Sequence, residues 1–313
     1  MNIQEFPLQR AGADLDHLLE KAKSFDPVVT AVIHPCDALS LAGALKAWDL
    51  KLIVPILVGP EKRIRSVADQ EGLSLDGVRI VDSEHSHDSA ERAVRLVREA
   101  NAQALMKGAL HTDEIMTAVL DKTEGLRTER RMTHVFFMDV PAYPKPLLIT
   151  DAAINIAPDL LTKADIVQNA IDLGIALGIS VPKVAILSAV ETVNPRIPST
   201  IEAAALCKMA ERGQIIGGIV DGPLAFDNAI SLQAAKAKGI ISDVAGHADI
   251  LVAPDLESGN MIAKQLTYLA GAESAGLVLG ARVPIILTSR ADGIRSRIAS
   301  SALASLYRAS QFK

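Results

Sequence analysis

Aromatic side chains make up only 3% of this 313-residue chain: one Trp, three Tyr and six Phe. A core so poor in rings must be filled by Ala, Val, Leu and Ile, which favours closely packed α/β layers over a sandwich of bulky rings. Cysteine is scarcer still. Cys36 and Cys207 are the only two and lie far apart, which argues against a disulfide framework or a Cys-rich zinc site and fits a reduced cytoplasm. Positive charge is not in excess: 32 Lys and Arg stand against 37 Asp and Glu, and a net charge of -5 gives no support to nucleic-acid binding. No uncharged apolar stretch is long enough to span a membrane, since the run over 171–190 contains Asp172 and Lys183. The opening MNIQEFPLQRAGADLD lacks the basic segment and apolar run of a signal peptide.

Several motifs are missing as well. There is no G-x-G-x-x-G, no Gly-Lys dipeptide and no H-E-x-x-H, so a dinucleotide turn, a P-loop and a zincin helix are all excluded. His85 and His87 stand among Glu84, Ser86 and Asp88, which reads as a solvated turn rather than a metal site. Cys36 precedes a helix whose dipole could lower its pKa, but a buried structural thiol is the preferred reading. Cys207, among Ala and Leu, reads as core.

What is present is apolar and periodic: 49% of residues are hydrophobic and 22% charged, enough for a sizeable core. Short apolar runs at 28–33, 52–58, 78–81 and 105–107 alternate with helical patterns at 15–24, from Asp37, at 61–71 and at 88–102. Gly108 then turns the chain into ALHTDEIMTAVL. Such alternation is the signature of a parallel sheet with right-handed crossovers. Strands at 134–140 and 146–150, joined by a Pro-containing loop, suggest a hairpin and a domain boundary nearby. Further strands are expected at 183–189, 215–220 and 250–253, with helices at 159–178, from Ser199, at 228–239 and at 260–270.

Polar residues recur at strand ends: Asp151, Asn155, Ser188, Asp221, Asp255 and Asn260. Collectively they point to one face of a sheet carrying a cleft, because ligands collect at the carboxyl ends of strands. The densest example is PIILTSRADGIRS at 284–296. The apolar run 283–287 reads as a buried parallel strand, and Thr288, Ser289, Arg290 and Asp292 follow it without a spacer. A guanidinium beside hydroxyls suits a phosphate. The alternative is a helix cap before a helix starting near Gly293. His111 sits at a strand–helix junction, where a cleft role and a capping role are both open. Arg127, Arg130 and Arg131 form a basic run that favours anion binding over a solvated loop.

Taken together, segments MKGALHTDEIMTAVLDKTEGLRT (106–128), HVFFMDVP (134–141), ITDAAINIAPDL (149–160), VAILSAVE (184–191), IVDGPLAFDNAI (219–230), ADILVAPDLESGNMIAK (248–264) and GARVPIILTSRAD (280–292) resemble the phosphate acetyltransferase/phosphate butyryltransferase family. Details such as LTSRAD and GLRT resemble its butyryltransferase-like branch. The resemblance implies an α/β, two-domain isocitrate/isopropylmalate dehydrogenase-like fold with parallel sheets and an interdomain cleft. Residues 1–140 plus 287–313 would form the first domain and 141–286 an inserted second one. It implies reversible transfer of a short acyl group, acetyl to butyryl, between CoA and inorganic phosphate. Coenzyme A would be a substrate and no cofactor would be permanently bound; no metal, nucleic acid or membrane partner is expected. A cytoplasmic homodimer is expected.

The resemblance also distributes roles. Ser289 matches the family's oxyanion-stabilising Ser, and Arg290 the phosphate-binding Arg after it. The acetyltransferases carry an Asp seven residues beyond that Ser. Here that position is Ser296, and Asp292 is taken as the substitute base for the CoA thiol. Their CoA-binding Arg is missing from IMTAV, so Arg127 and Arg130 are assigned that work, with His111, Thr112, Asn260 and Lys264 as further CoA contacts. Two competing readings are a decarboxylating NAD-dependent dehydrogenase of the same fold class and a non-catalytic protein that binds CoA or acyl phosphate.

Overall fold

The computed structural model describes residues 12–288 and 292–311. The chain divides into two compact units, each assembled from separated stretches. One comprises His17–Arg130 and the chain from Ala275 onward; the other comprises Arg131–Ser274 and the amino-terminal residues up to Asp16.

The first unit alternates strand and helix. Helix α1 (Ala13–Ala22) leads to β1 (Val28–Ile33), α2 (Ala38–Asp49), β2 (Ile53–Val58), α3 (Glu61–Glu71), β3 (Arg79–Val81), α4 (Ser86–Arg98), β4 (Ala104–Lys107) and α5 (Thr112–Leu120). The expected signals set these bounds. The Asp37 carboxylate accepts from the Ser40 N–H at 2.7 Å and so caps α2, while Gly72 closes α3 at φ 64, a left-handed conformation that glycine adopts freely. Strands β3, β2, β1 and β4 pair in parallel, with Ile33 opposite both Val58 and Lys107. Their side chains are mostly Val, Ile, Leu, Ala and Met, and Ala31, Val32, Leu57 and Leu105 have no exposed surface. Such burial at the centre is what a sheet covered on both faces requires.

The second unit begins with β5 (Thr133–Asp139) and β6 (Leu147–Thr150), the expected hairpin. Then come α6 (Leu160–Ala176), β7 (Lys183–Leu187), α7 (Pro198–Glu211), β8 (Ile219–Leu224), α8 (Phe226–Ile230), α9 (Leu232–Ala237), β9 (Ile250–Val252) and α10 (Leu256–Leu269). Its sheet order is β5-β6-β9-β7-β8, parallel except for the β5–β6 pair. Met138, Ile149, Ala185 and Leu251 share one core with Val244 and Ala248.

The chain continues with β10 (Glu273–Leu279), β11 (Ile285–Ile286) and α11 (Ile294–Ser310). Within the first unit, β11 runs parallel to β4 and antiparallel to β10. The expectation of parallel sheets is therefore corrected: the strand pairing within each unit is mixed, because the tight connections 140–146 and 280–284 reverse the chain without a crossover helix. The strand expected over 283–287 shrinks to two paired residues, and β10 was not expected at all. Strand β8 lies later than expected and carries Asp221–Gly222–Pro223 inside it rather than after it. It is the edge strand, and its ladder with β7 slips between Ala185 and Leu187. Proline, lacking an N–H, is tolerated there. The helix expected over 228–239 is two short helices divided at Ser231, whose side chain caps the second. Cys207 is half-buried, not core.

Candidate active site

In the first unit, strands β1, β4 and β11 all end on one side, and the chemistry gathers there. Beyond Ile33 the chain turns sharply: His34 adopts φ 53 and Cys36 N–H donates to the His34 carbonyl at 2.8 Å. The end of β4 is drawn against this turn. Gly108 N–H donates to Ile33 O at 2.9 Å and Ala109 N–H to His34 O at 2.8 Å. Only glycine fits between them, since a Cβ on Gly108 would stand 2.3 Å from Ile33 O.

The His34 ring is buried and hydrogen-bonded through Nδ1 to Ser89 Oγ at 3.0 Å. Ser89 Oγ also donates to His85 O at 2.8 Å and lies 2.8 Å from Ser83 Oγ, which ties the His34 ring into a buried hydroxyl cluster. Burial, then the Arg63 charge, holds the His34 pKa below the ordinary imidazole value, which keeps the ring neutral. Burial likewise pushes the Cys36 thiol up to about 11, so the thiol is structural as expected and not activated by the helix. His85 caps α4 by accepting from Asp88 N–H at 3.1 Å, and His87 stands 3.2 Å from Glu114. No group of three His, Cys, Asp or Glu placed to hold a metal ion occurs among the described residues.

Three side chains complete this end of the sheet. Lys107, the last residue of β4, is 4% exposed. Thr288, just past β11, is 5% exposed, and its Oγ1 has no hydrogen-bond partner among the described residues. Arg297 on α11 is 3% exposed, and its Nη1 donates to the Lys107 carbonyl at 3.3 Å. Asp37 and Asp292 act on it through their fields. The sequence did not single out Lys107 or Arg297. The available signal was an arginine next to Ile298 in a helix otherwise lined with Ala, Ser and Leu.

The expected site residues distribute as follows. Ser289 and Arg290 lie outside the described residues. Asp292 stands directly before Gly293, which occupies the N-cap position of α11. His111 holds the N-cap position of α5 and is exposed; its N–H donates to Glu114 at 2.6 Å, and Thr112 is the first helical residue. Arg127 and Arg130 are exposed, and Arg127 lies against the β10–β11 connection. Arg127 bridges Ala281, Arg282 N–H donates to Leu126 O at 3.0 Å and Thr128 Oγ1 donates to Gly280 O at 2.6 Å.

Asn260 and Lys264 lie on α10 of the second unit, where Lys264 is exposed. Many strand-end polar groups of that unit build its loops. The buried Asp151 carboxylate accepts from the N–H groups of Ala153 (2.9 Å), Ile154 (3.1 Å) and Asn155 (3.3 Å) and from the Asn155 amide (2.6 Å). Asn260 donates to Ala152 O at 3.1 Å. Asp255 caps α10, Ser188 and Ser199 share a hydrogen bond, and Lys163 pairs with Glu202.

Comparison with known proteins adds the following. Residues 86–305 match the family described as "Phosphate acetyl/butaryl transferase". A phosphate acetyltransferase of Rhizobium meliloti is 63% identical over 94% of this chain and 93% of its own length. A phosphate butyryltransferase of Clostridium beijerinckii is 40% identical over 94% of this chain and 97% of its own. Among solved structures, a branched-chain phosphotransacylase from Enterococcus faecalis V583 is 30% identical with TM-score 0.78, covering 90% of this chain and 99% of that one. A 4-hydroxythreonine-4-phosphate dehydrogenase from Klebsiella pneumoniae, 12% identical with TM-score 0.56, shares the fold alone. These likenesses correct the expected isocitrate/isopropylmalate dehydrogenase-like class: the fold is that of the phosphotransacylases, built on mixed strand pairing. On its match over most of its length, the chain belongs to the phosphate acetyl/butyryl transferase family.

Proposed function

We propose that this chain catalyses the reversible reaction of acyl-CoA with inorganic phosphate to give acyl phosphate and CoA, with acetyl as its main acyl group. The observation that carries this reading is the 63% identity, over 94% of the chain, to a protein named phosphate acetyltransferase. Relatives named phosphate butyryltransferase are 40% identical over a similar span, which makes butyryl the second choice.

In the forward direction a phosphate oxygen attacks the thioester carbonyl, the C–S bond breaks and the CoA sulfur leaves with a proton. In reverse the thiol attacks the acyl phosphate and gives its proton to a base. A thiol with a pKa of about 8.5 is only partly ionised at neutral pH, so that base matters. Ser289 is assigned to the developing oxyanion and Arg290 to the phosphoryl group. Asp292 is assigned as the base for the thiol proton. Arg127 and Arg130 suit the nucleotide phosphates of CoA, which hang a pantetheine arm away from the thiol. His111 and Thr112 are at the start of α5, where N–H groups and the helix dipole favour an anion. Asn260 already holds Ala152 O, so the reading leans on Lys264 more than on Asn260 in the second unit. A cytoplasmic homodimer completes the proposal; both cysteines are free thiols, as a reducing compartment would leave them.

The test follows thioester absorbance with acetyl-, propionyl- and butyryl-CoA, each with phosphate. Phosphate-dependent thioester loss, fastest with acetyl-CoA, is expected. No loss with any of the three refutes the reading, and faster loss with butyryl-CoA refutes the choice of acyl group.

A further inference from the structure

Arg297 is a charge with too little to do. Its guanidinium stays protonated at any working pH and offers five N–H donors. Yet it is 3% exposed, and its one hydrogen bond among the described residues is the long contact to Lys107 O at 3.3 Å. Its Nε has no partner there, and no ion pair joins it to a carboxylate among the described residues. Burial lowers its pKa, while Asp37 and Asp292 act from further off to raise it. A buried cation left this poorly satisfied is expensive. The fold nevertheless makes room for it: a Cβ on Gly43 of α2 would stand 2.7 Å from Arg297 Cδ, so the stem passes only because residue 43 is glycine.

Thr288 presents a second unsatisfied group at the end of the neighbouring strand. Met106 faces Ile286 in the β4–β11 ladder, so Lys107, whose carbonyl Arg297 holds, and Thr288 emerge from the same end of adjacent strands. Thr288 is 5% exposed and its Oγ1 is unpartnered among the described residues. An oxyanion with several acceptor oxygens would satisfy both groups at once, since a guanidinium fork and a hydroxyl are both donors to it.

We propose that Arg297 and Thr288 form an anion-binding pair that holds the phosphoryl oxygens of inorganic phosphate or acyl phosphate at the carboxyl ends of β4 and β11. This rests on the phosphate acyltransferase reading above and adds to it Arg297, which the sequence did not single out, while Thr288 was already one of the hydroxyls read there as suited to phosphate.

The test is steady-state kinetics on the full chain with Arg297→Gln, Arg297→Lys and Thr288→Val, varying phosphate and acetyl-CoA separately. Loss of a charge-assisted bond predicts a phosphate KM raised about 10- to 100-fold in Arg297→Gln. Thr288→Val should raise it about 3- to 10-fold. The KM for acetyl-CoA should move less than about twofold in each, and Arg297→Lys should fall between wild type and Arg297→Gln. A merely structural arginine predicts a lower Tm with the phosphate KM unchanged, and that result overturns the proposal. If Arg297→Gln does not fold, the near-isosteric Thr288→Val decides: an unchanged phosphate KM overturns the pair. Thermal unfolding with and without inorganic phosphate separates this proposal from the activity. Should wild type show no turnover, the acyltransferase reading fails. The pair then stands if phosphate raises the wild-type Tm and that rise is lost in the variants, and falls if no rise is seen or the variants keep it.

Discussion

Gly108→Ala is the most direct test of how the candidate site is built. The added Cβ would stand 2.3 Å from Ile33 O and 2.7 Å from His34 O. A carbon and a carbonyl oxygen normally approach no closer than about 3.3 Å, so about 1 Å of backbone movement is demanded. Both neighbours are main chain, so no side chain can swing aside. The movement would break or lengthen two hydrogen bonds, Gly108 N–H to Ile33 O and Ala109 N–H to His34 O. Overpacking costs about 1–3 kcal/mol and each of the two weakened bonds about 0.5–1.5 kcal/mol, giving about 2–6 kcal/mol in all. For a unit of this size that lowers Tm by about 5–20 °C. Gly72→Ala is the control. Gly72 has φ 64 with nothing within 4 Å of an added methyl, so only left-handed strain applies, about 1–2 kcal/mol, with turnover kept. Differential scanning fluorimetry and the thioester assay read both effects. Wild-type Tm and turnover in Gly108→Ala would refute the claim that β1 and β4 are locked together at the site.

Asp292→Asn should leave the fold intact and slow turnover about 10²–10⁴-fold, with partial recovery at high pH as the thiol ionises unaided; near-normal rates in a folded variant would remove Asp292 as the base. The double variant Arg127→Ala/Arg130→Ala should weaken CoA binding at low salt and flatten its salt dependence, measured by calorimetry; wild-type affinity at low salt would make the basic loop ordinary surface. Burial lifts the Cys36 thiol from 9.0 to about 11, which leaves roughly 100-fold less thiolate. Native Cys36 should therefore label far more slowly than Cys36 in urea, tracked by peptide mass spectrometry, and equal rates would contradict the burial. Burial raises the pKa of Asp255, but its bonds to the Ser258 hydroxyl and N–H and the Lys163 charge win, and the net shift is downward. A depressed carboxyl contributes stability above its unfolded pKa and loses it as pH falls through its folded pKa. The urea-stability gap between wild type and Asp255→Asn should hold above about pH 5 and shrink below about pH 4; a gap that widens on acidification would be the wrong sign.

Much of the local structure was legible in the sequence because the signals are local. The run VVTAVI became β1 and the bounds of α3 at 61–71 were met, since alternation, periodicity and caps act within a few residues. Asp37 was legible as a cap for the same reason. The Pro-containing loop foretold the β5–β6 reversal. Family membership was legible too, because it rests on strings of residues at fixed spacing.

Pairing between distant segments decided the rest. Strand β10, ESAGLVL, opens with a charge and two small residues, and is a strand because β11 supplies its partner. Asp221–Gly222–Pro223 reads as chain just past a strand end and is instead held inside an edge strand, whose ladder with β7 slips. Asp151 and Asn260 read as free polar groups at strand ends, yet the folded chain spends them on N–H groups and a carbonyl. Arg297 reads as one more helix charge; only the approach of α11 to Gly43 and to the end of β4 buries it. Burial and hydrogen-bond satisfaction depend on what the rest of the chain brings within a few ångströms, and no window of sequence contains that information.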